Sequence, residues 1–247
     1  MAKIIKKTNG SKKSYRMTQL MTVVSFLGFA VWCALCAFVM GVLRFVSVPL
    51  VVVAAVFMIV WVCAGLYFKN RCGILKAGVD GEKIAGKALS KLPKEYTVIK
   101  NAVVTYEGKT SEIDLLVYGK NGITIVESKN YKGIISGDIS DKNWTKTKKN
   151  GENEYTKRFY NPVKQLGTQI HRLSGALKEN GVDVFIDGVV CFTNPESELN
   201  ISGSKKGISV VTLANDKDNL ADCITDRKNP LDDSVVKKLR ELFGEEE

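Results

Sequence analysis

The chain has 247 residues, 45% of them hydrophobic, and carries 36 Lys and Arg against 26 Asp and Glu, a formal charge of +10. A single histidine, His171, excludes zinc centres built on several imidazoles, and six scattered cysteines argue against a disulfide framework. Cys33-x-x-Cys36 has redox or zinc spacing, but it lies inside an apolar run, where small buried hydrophobes are the simpler reading.

The charge is unevenly placed. Residues 1–16 form a basic tail with Lys3, Lys6, Lys7, Lys12, Lys13 and Arg16, and residues 17–68 carry one charge, Arg44. Taking those seven from 36 leaves 29 basic residues facing all 26 acids, so the rest of the chain is nearly balanced. The excess belongs beside an anionic membrane surface, and net basicity alone does not point to nucleic acid.

Two uncharged stretches follow, about 18–43 and 46–68, with a connector around Arg44 to Pro49. About 20 helical residues cross a ~30 Å hydrocarbon core, so both suffice, and a second span rules against a cleaved signal peptide. The short connector predicts a tight helical hairpin, with Trp61, Tyr67 and Phe68 as aromatic belt residues. Basic residues flank the outer ends (the tail; Lys69, Arg71 and Lys76), which predicts a multi-pass cell-membrane protein with both termini cytoplasmic and the lipid bilayer as its first partner. One long buried soluble hairpin is the alternative.

A linker is expected at 69–77, then a folded region from 78 to 195 completed by residues 196–247. A helix is expected at Asp80–Leu92, stopped by Pro93. Strands follow at Tyr96–Tyr106, Glu112–Tyr118 and Ile123–Lys129, the last two joined by the hairpin signal Gly119-Lys120-Asn121-Gly122. Short segments at Gly133–Ser140 and Trp144–Tyr160 precede the clearest helix, Asn161–Asn180, which has Pro162 in its first turn and Gly181 after its end. Buried strands are expected at Val184–Phe192 and Ile208–Leu213, and helices at Asp216–Ile224 and Leu231–Phe243, before a solvated acidic tail. The order α-β-β-β-(β)-α-β-β-α predicts an α/β fold, a mixed sheet flanked by helices, after the two-helix transmembrane hairpin.

One constellation could carry chemistry. Centring the hairpin loop on Lys120-Asn121 pairs residues whose numbers sum to 241 and puts Asp114 opposite Glu127. Centring it on Asn121-Gly122 puts Asp114 opposite Lys129. Directly opposed residues share a face, so either register gathers Asp114, Glu127 and Lys129 on one patch. Two carboxylates and an amine on apolar strands are costly to bury, and a hard cation offsets that cost. Asp114 and Glu127 could hold Mg²⁺ (or Mn²⁺), with Lys129 orienting or deprotonating a water or balancing charge at a phosphoryl centre. The competing reading is a buried salt bridge or a solvated edge patch.

The run Gly81-Glu82, Ser111-Glu112-Ile113-Asp114, Gly122-Ile123, Ile125-Val126-Glu127-Ser128-Lys129-Asn130-Tyr131-Lys132-Gly133, Trp144, Asn161-Pro162 and Gln165 resembles the NERD, or nuclease-related, domain. That family is placed in the PD-(D/E)XK restriction-endonuclease-like superfamily. The resemblance implies an α-β-β-β-α-β core in which Asp114, Glu127 and Lys129 occupy catalytic positions, while Glu82 and Gln165 complete the site. It also implies phosphodiester hydrolysis of DNA or RNA, or a catalytically inactive module on the same fold that binds nucleic acid or protein.

The remaining candidates have two readings each. Glu82 is a ligand or a first-turn acid favouring the helix dipole. Gln165 orients a nucleotide or water, or is a surface glutamine, and His171 contacts phosphate or is solvated. Lys142, Lys146, Lys148, Lys149, Lys157 and Arg158 alternate with aromatic residues. Of these, Lys146, Lys148 and Lys149 with Trp144 make the best nucleic-acid surface, although Glu152 and Glu154 dilute it and core packing against the sheet is the better reading of Trp144.

Overall fold

A computed structural model of the chain describes residues 2–6, 10–42, 47–151, 153–214 and 220–243. Arg44 of the connector, Glu152, the stretch 215–219 that opens the expected helix at 216–224, and the acidic tail at 244–247 lie outside the described residues. The chain divides into two units: residues 10–79, and residues 1–9 together with 80–247.

The first unit is the apolar hairpin. Helix α1 runs Gly10–Val42 and helix α2 runs Val48–Leu89. Both are long and apolar enough to cross a membrane, and only 6% of each apolar window is buried, unlike the core helix of a soluble fold. The two helices pack antiparallel through small-against-large contacts. A Cβ on Gly28 would meet the Trp61 ring at 2.5 Å, and one on Gly65 would touch Phe26 at 3.3 Å. Trp32 stacks on Phe57 at 4.9 Å and donates its indole N–H to the Ala54 carbonyl at 3.2 Å. Trp61 therefore fills the space over Gly28 inside the hairpin, whereas Tyr67 and Phe68 make an edge-to-face pair. Residues 69–77, expected as a linker, are continuous helix within α2.

The second unit is built on two sheets. Strands β1 (Lys3–Lys6), β2 (Thr97–Tyr106), β3 (Lys109–Gly119), β4 (Gly122–Lys129), β8 (Ile186–Phe192) and β10 (Ile208–Thr212) form a six-stranded mixed sheet in that order. Strands β7 (Asn153–Tyr160), β6 (Asn143–Asn150), β5 (Gly133–Asp138) and β9 (Ser197–Ser202) form a second sheet of four. Helix α3 is Pro162–Glu179, α4 is Leu220–Thr225 and α5 is Asp233–Leu242. The expected mixed sheet flanked by helices is present. The second sheet, β9 and β1 are additions, and β1 comes from the stretch expected to be only a basic tail.

Alternation along the strands sends side chains to two cores. One face of the large sheet, with Ile99, Leu116, Tyr118, Ile123 and Ile125, packs on Val163, Leu166, Leu173 and Leu177 of α3 and on Trp144 of the second sheet. The other face, with Val98, Leu115, Val117 and Val126, packs on Ala85, Leu89 and Leu92 and on Leu220 and Ile224 of α4. Asn161 sets the start of α3. Its Oδ1 accepts from the Val163 N–H at 2.8 Å, and its fully buried amide donates to the Asp141 and Ile139 carbonyls at 2.7 and 3.1 Å. The helix that carries Gln165 is thereby fastened to the β5–β6 turn. Gly133, at φ +100°, lets the chain after β4 turn into the second sheet, where a Cβ would lie 2.2 Å from the Thr147 carbonyl oxygen.

Candidate active site

The β3–β4 hairpin adopts the register centred on Lys120-Asn121. Leu115 pairs with Val126, Leu116 with Ile125 and Gly119 with Gly122, and extending this one step sets Asp114 opposite Glu127. Glu127 is 2% exposed and sits on the face with Ile125, towards α3. Its Oε1 accepts from Lys129 Nζ at 2.5 Å and from Gln165 Nε2 at 2.7 Å, and its Oε2 accepts from Gln169 Nε2 at 2.8 Å. Lys129 Nζ also donates to Gln165 Oε1 at 3.0 Å. Three expected residues, Glu127, Lys129 and Gln165, therefore form one closed hydrogen-bonded cluster.

Gln169 was not anticipated, although Gln165-x-x-x-Gln169 is one helical turn and places both amides on one face. Its amide also donates to the Glu112 carbonyl at 3.1 Å, while its own Oε1 is buried with no hydrogen-bond partner among the described residues. Gln169 thereby ties α3 to both β3 and β4.

Asp114 occupies a break in strand alternation. Ile99 and Ala102 both belong to the α3-facing core although three residues apart, and so do Ile113 and Leu116. Between those pairs stand Asn101 and Asp114, opposite each other by register, and Asn101 has φ +56°. Asparagine tolerates this left-handed backbone better than most residues. Asp114 Oδ2 accepts from the Ser128 N–H at 2.9 Å and from Ser128 Oγ at 3.1 Å. Asn101 donates its amide to Glu82 Oε2 at 3.2 Å. Glu82 is thus brought to the same neighbourhood, on the Asp114 side, and it is not among the hydrogen-bonded partners of Glu127. Neither Ser128 nor Asn101 stood out in the sequence, because their roles depend on register and on one unusual φ.

The charges push on one another. The Asp114 carboxyl is raised from 3.8 to about 8, first by withdrawal from water and then by the Glu127 charge, with Glu82 adding to it and the Ser128 N–H and Lys129 opposing it. For Lys129, withdrawal from water pulls the ammonium down, but the charge and hydrogen bond of Glu127, together with Asp114, outweigh it and the net shift is upward. Lys129 is therefore held as a cation, suited to stabilising negative charge and unsuited to removing a proton from water. Glu112 is also raised, by withdrawal from water and then by Glu82.

Does this donor set fit a divalent cation? Among the described residues no cluster of three or more His, Cys, Asp or Glu could hold a metal ion. The Glu127 charge raises the cost of ionising Asp114, and a hard cation on oxygen ligands relieves such repulsion. A cation held by these two carboxylates would have to take its remaining ligands from water, as Mg²⁺ commonly does.

The raised Asp114 carboxyl yields a stability prediction with a definite sign. The folded chain binds this proton more tightly than the unfolded chain, so stability is full below the ordinary value of 3.8. It is lost as pH rises towards about 8. In metal-free solution, Asp114→Asn is expected to stabilise the chain at about pH 8.5 by on the order of 2 kcal/mol, read as a higher thermal midpoint, and to change little near pH 4. A variant that melts below the native chain at the higher pH contradicts the charge assignment.

Of the expected nucleic-acid residues, Trp144 is corrected. It is fully buried in the core with its indole N–H donating to the Asp138 carbonyl at 2.7 Å, so no base can stack on it. Lys148 and Lys149 are exposed and Lys146 is half-buried. His171 packs edge-on against Tyr106 at 5.9 Å, on the same helix as Gln165 but outside the Glu127 cluster.

Residues 77–193 match the family model of the nuclease-related domain, and the chain carries a domain of that family. The segment spans the Glu82 end of α2, the β2–β3–β4 meander, the second sheet's first three strands, α3 and β8. The chain is also similar to an uncharacterized protein of Bacillus anthracis, 44% identical over 70 residues. That match covers 28% of this chain and 33% of the relative. No solved structure matches the chain.

Proposed function

We propose that this chain is a membrane-anchored, Mg²⁺- or Mn²⁺-dependent nuclease that hydrolyses phosphodiester bonds of DNA or RNA. The observation that carries this reading is the cluster at the end of β4, where Glu127, Lys129 and Gln165 are mutually hydrogen-bonded with Asp114 across the hairpin. Asp114 and Glu127 would hold the cation, and Glu82 stands near enough to Asp114 to support it electrostatically. A bound divalent ion supplies Lewis-acid polarisation of a phosphoryl oxygen and an ionised water. Lys129, kept protonated by Glu127, stabilises negative charge developing on the phosphoryl oxygens. Gln165 orients Lys129, and Gln169 fixes the Glu127 carboxylate.

The bilayer reading rests on two helices whose apolar surface is largely uncovered among the described residues. The cytoplasmic placement of both ends rests on the flanking basic residues. The pairing of β1 with β2 supports the same arrangement, since strands on either side of the apolar hairpin meet only on one side of a membrane.

A second reading, a non-catalytic module binding nucleic acid or protein, is favoured by one observation. Both oxygens of Glu127 are already taken by Lys129, Gln165 and Gln169, as in a purely structural polar cluster. The two readings separate when the full-length chain, in neutral detergent, is incubated with plasmid and with single-stranded DNA and RNA. Cleavage that requires Mg²⁺ or Mn²⁺ and stops in chelator supports the nuclease. Intact substrate under every condition supports the module.

A further inference from the structure

The β6–β7 hairpin sorts its basic residues onto two faces. Directly paired residues share a face, so Lys146 with Lys157 and Lys148 with Tyr155 lie on the face that begins with buried Trp144 and half-buried Phe159. Lys149, paired with Glu154, and Arg158 lie on the other. The patch that looks continuous in the sequence is therefore two surfaces, and only the first lacks an acid.

On that first face Lys146 and Lys157 stand directly opposite each other. Among the described residues neither they nor Lys148 has a carboxylate within ion-pair distance. Like charges across a strand pair destabilise the sheet, so the free protein carries an unfavourable contact. Lysines also guard exposed edge strands, and β7 is an edge strand. Edge protection, however, asks only for charge and does not explain two lysines opposed with no acid between them. A polyanion laid along the face would turn that contact favourable.

The face also carries rings and runs towards the end of β4. Lys146 Nζ lies 4.1 Å from the half-buried Tyr131 ring, and Tyr131 follows Lys129 by two residues. Tyr155 is 65% exposed. Alternate residues on a strand are ~6.6 Å apart, comparable to the step between phosphates on an extended single strand, and an exposed tyrosine offers a stacking surface to any base. An anionic membrane surface would satisfy the lysines, but it would make no use of the rings or of the path to Lys129.

We propose that Lys146, Lys148 and Lys157, with Tyr131 and Tyr155, form a track for single-stranded nucleic acid that delivers a phosphodiester to the Asp114, Glu127 and Lys129 site. This rests on the nuclease reading for its destination and on the lysine face for its occupant.

The test measures binding without cleavage. A fluorescein-labelled single-stranded oligonucleotide is titrated with full-length chain in neutral detergent and chelator, over a range of salt, for the native chain, Lys146→Gln/Lys157→Gln and Lys149→Gln. The double variant is expected to bind about tenfold more weakly at low salt, with the salt slope flattened by roughly 1.4. Lys149→Gln is expected to match the native chain. The double variant is also expected to melt no lower than the native chain, because a repulsive pair is removed. Equal binding by native chain and double variant overturns the track. So does an oligonucleotide that fails to bind while anionic phospholipid vesicles bind and lose affinity in the double variant. Binding that follows the lysines without any cleavage in metal keeps the track and rejects the nuclease. Cleavage whose kcat/KM is unchanged in the double variant does the reverse.

Discussion

Under the proposed nuclease reading, Lys129→Met is expected to abolish phosphodiester cleavage, by about 10³-fold or more, and at the same time to make stability depend on metal. The first effect follows from removing the cation hydrogen-bonded to Glu127. The second follows from burial. Glu127 is 2% exposed, so loss of its 2.5 Å partner leaves a buried carboxylate with only the amides of Gln165 and Gln169. Breaking a buried pair from one side costs about 3–5 kcal/mol. In chelator the variant should melt well below the native chain, and Mg²⁺ or Mn²⁺ should recover much of the loss by supplying the missing positive charge. Adding Glu127→Gln should restore stability in chelator without restoring cleavage. If Lys129→Met cleaves at the native rate, the residue assignment fails. If metal does not move its melting point, Asp114 and Glu127 do not hold the ion.

A comparable loss of stability is expected far from the cluster, from Arg227→Ala. Asp187, at the start of β8, is 1% exposed and is held by Arg227 Nη1 at 3.4 Å and by the Asn229 amide at 2.7 Å. Arg227 Nη2 also donates to Ser209 Oγ of β10 at 2.9 Å. The pair ties the segment after α4 to two adjacent parallel strands, and β8 pairs with β4, where Val190 faces Glu127. Removing the guanidinium leaves Asp187 with a single neutral donor, at a cost of about 3–5 kcal/mol. Arg227 Nε is already buried without a partner among the described residues, so the pair is incompletely satisfied as it stands. Arg227→Met with Asp187→Leu should therefore recover most of the loss. A single variant that melts within a degree or two of the native chain would show that the pair is incidental to folding.

The hairpin arithmetic around Gly119-Lys120-Asn121-Gly122 was legible because a two-residue turn sets the pairing of everything behind it, and one of its two registers is the one observed. Asp114, Glu127 and Lys129 could be grouped on that basis alone. Gln165 came through resemblance, whereas Gln169 needed only helical spacing and was overlooked because a second glutamine carries no charge to draw notice. Trp144 looked like a stacking residue beside lysines. Alternation on β6 instead directs it inward with Phe159, and the same alternation divides the lysines themselves. Strand β9 escaped because Ser197–Ser202 is half polar, matching a strand with one buried side only at intervals. Asn101 could not be read at all, since nothing local in Val98–Val104 announces a residue at φ +56°.

The four residues Lys3–Lys6 are too few to announce a strand, and their partner in the sheet, Thr97–Lys100, lies beyond the whole apolar hairpin. That pairing has a consequence for biosynthesis. The segment is synthesised ahead of both apolar helices, and its docking edge only after them, so it must wait unpaired. Until that pairing is made, β2 has a bare edge. A domain fragment cut at residue 77 would expose the same edge and invite strand exchange between copies, which is why experiments on this chain are best made with the leading residues in place.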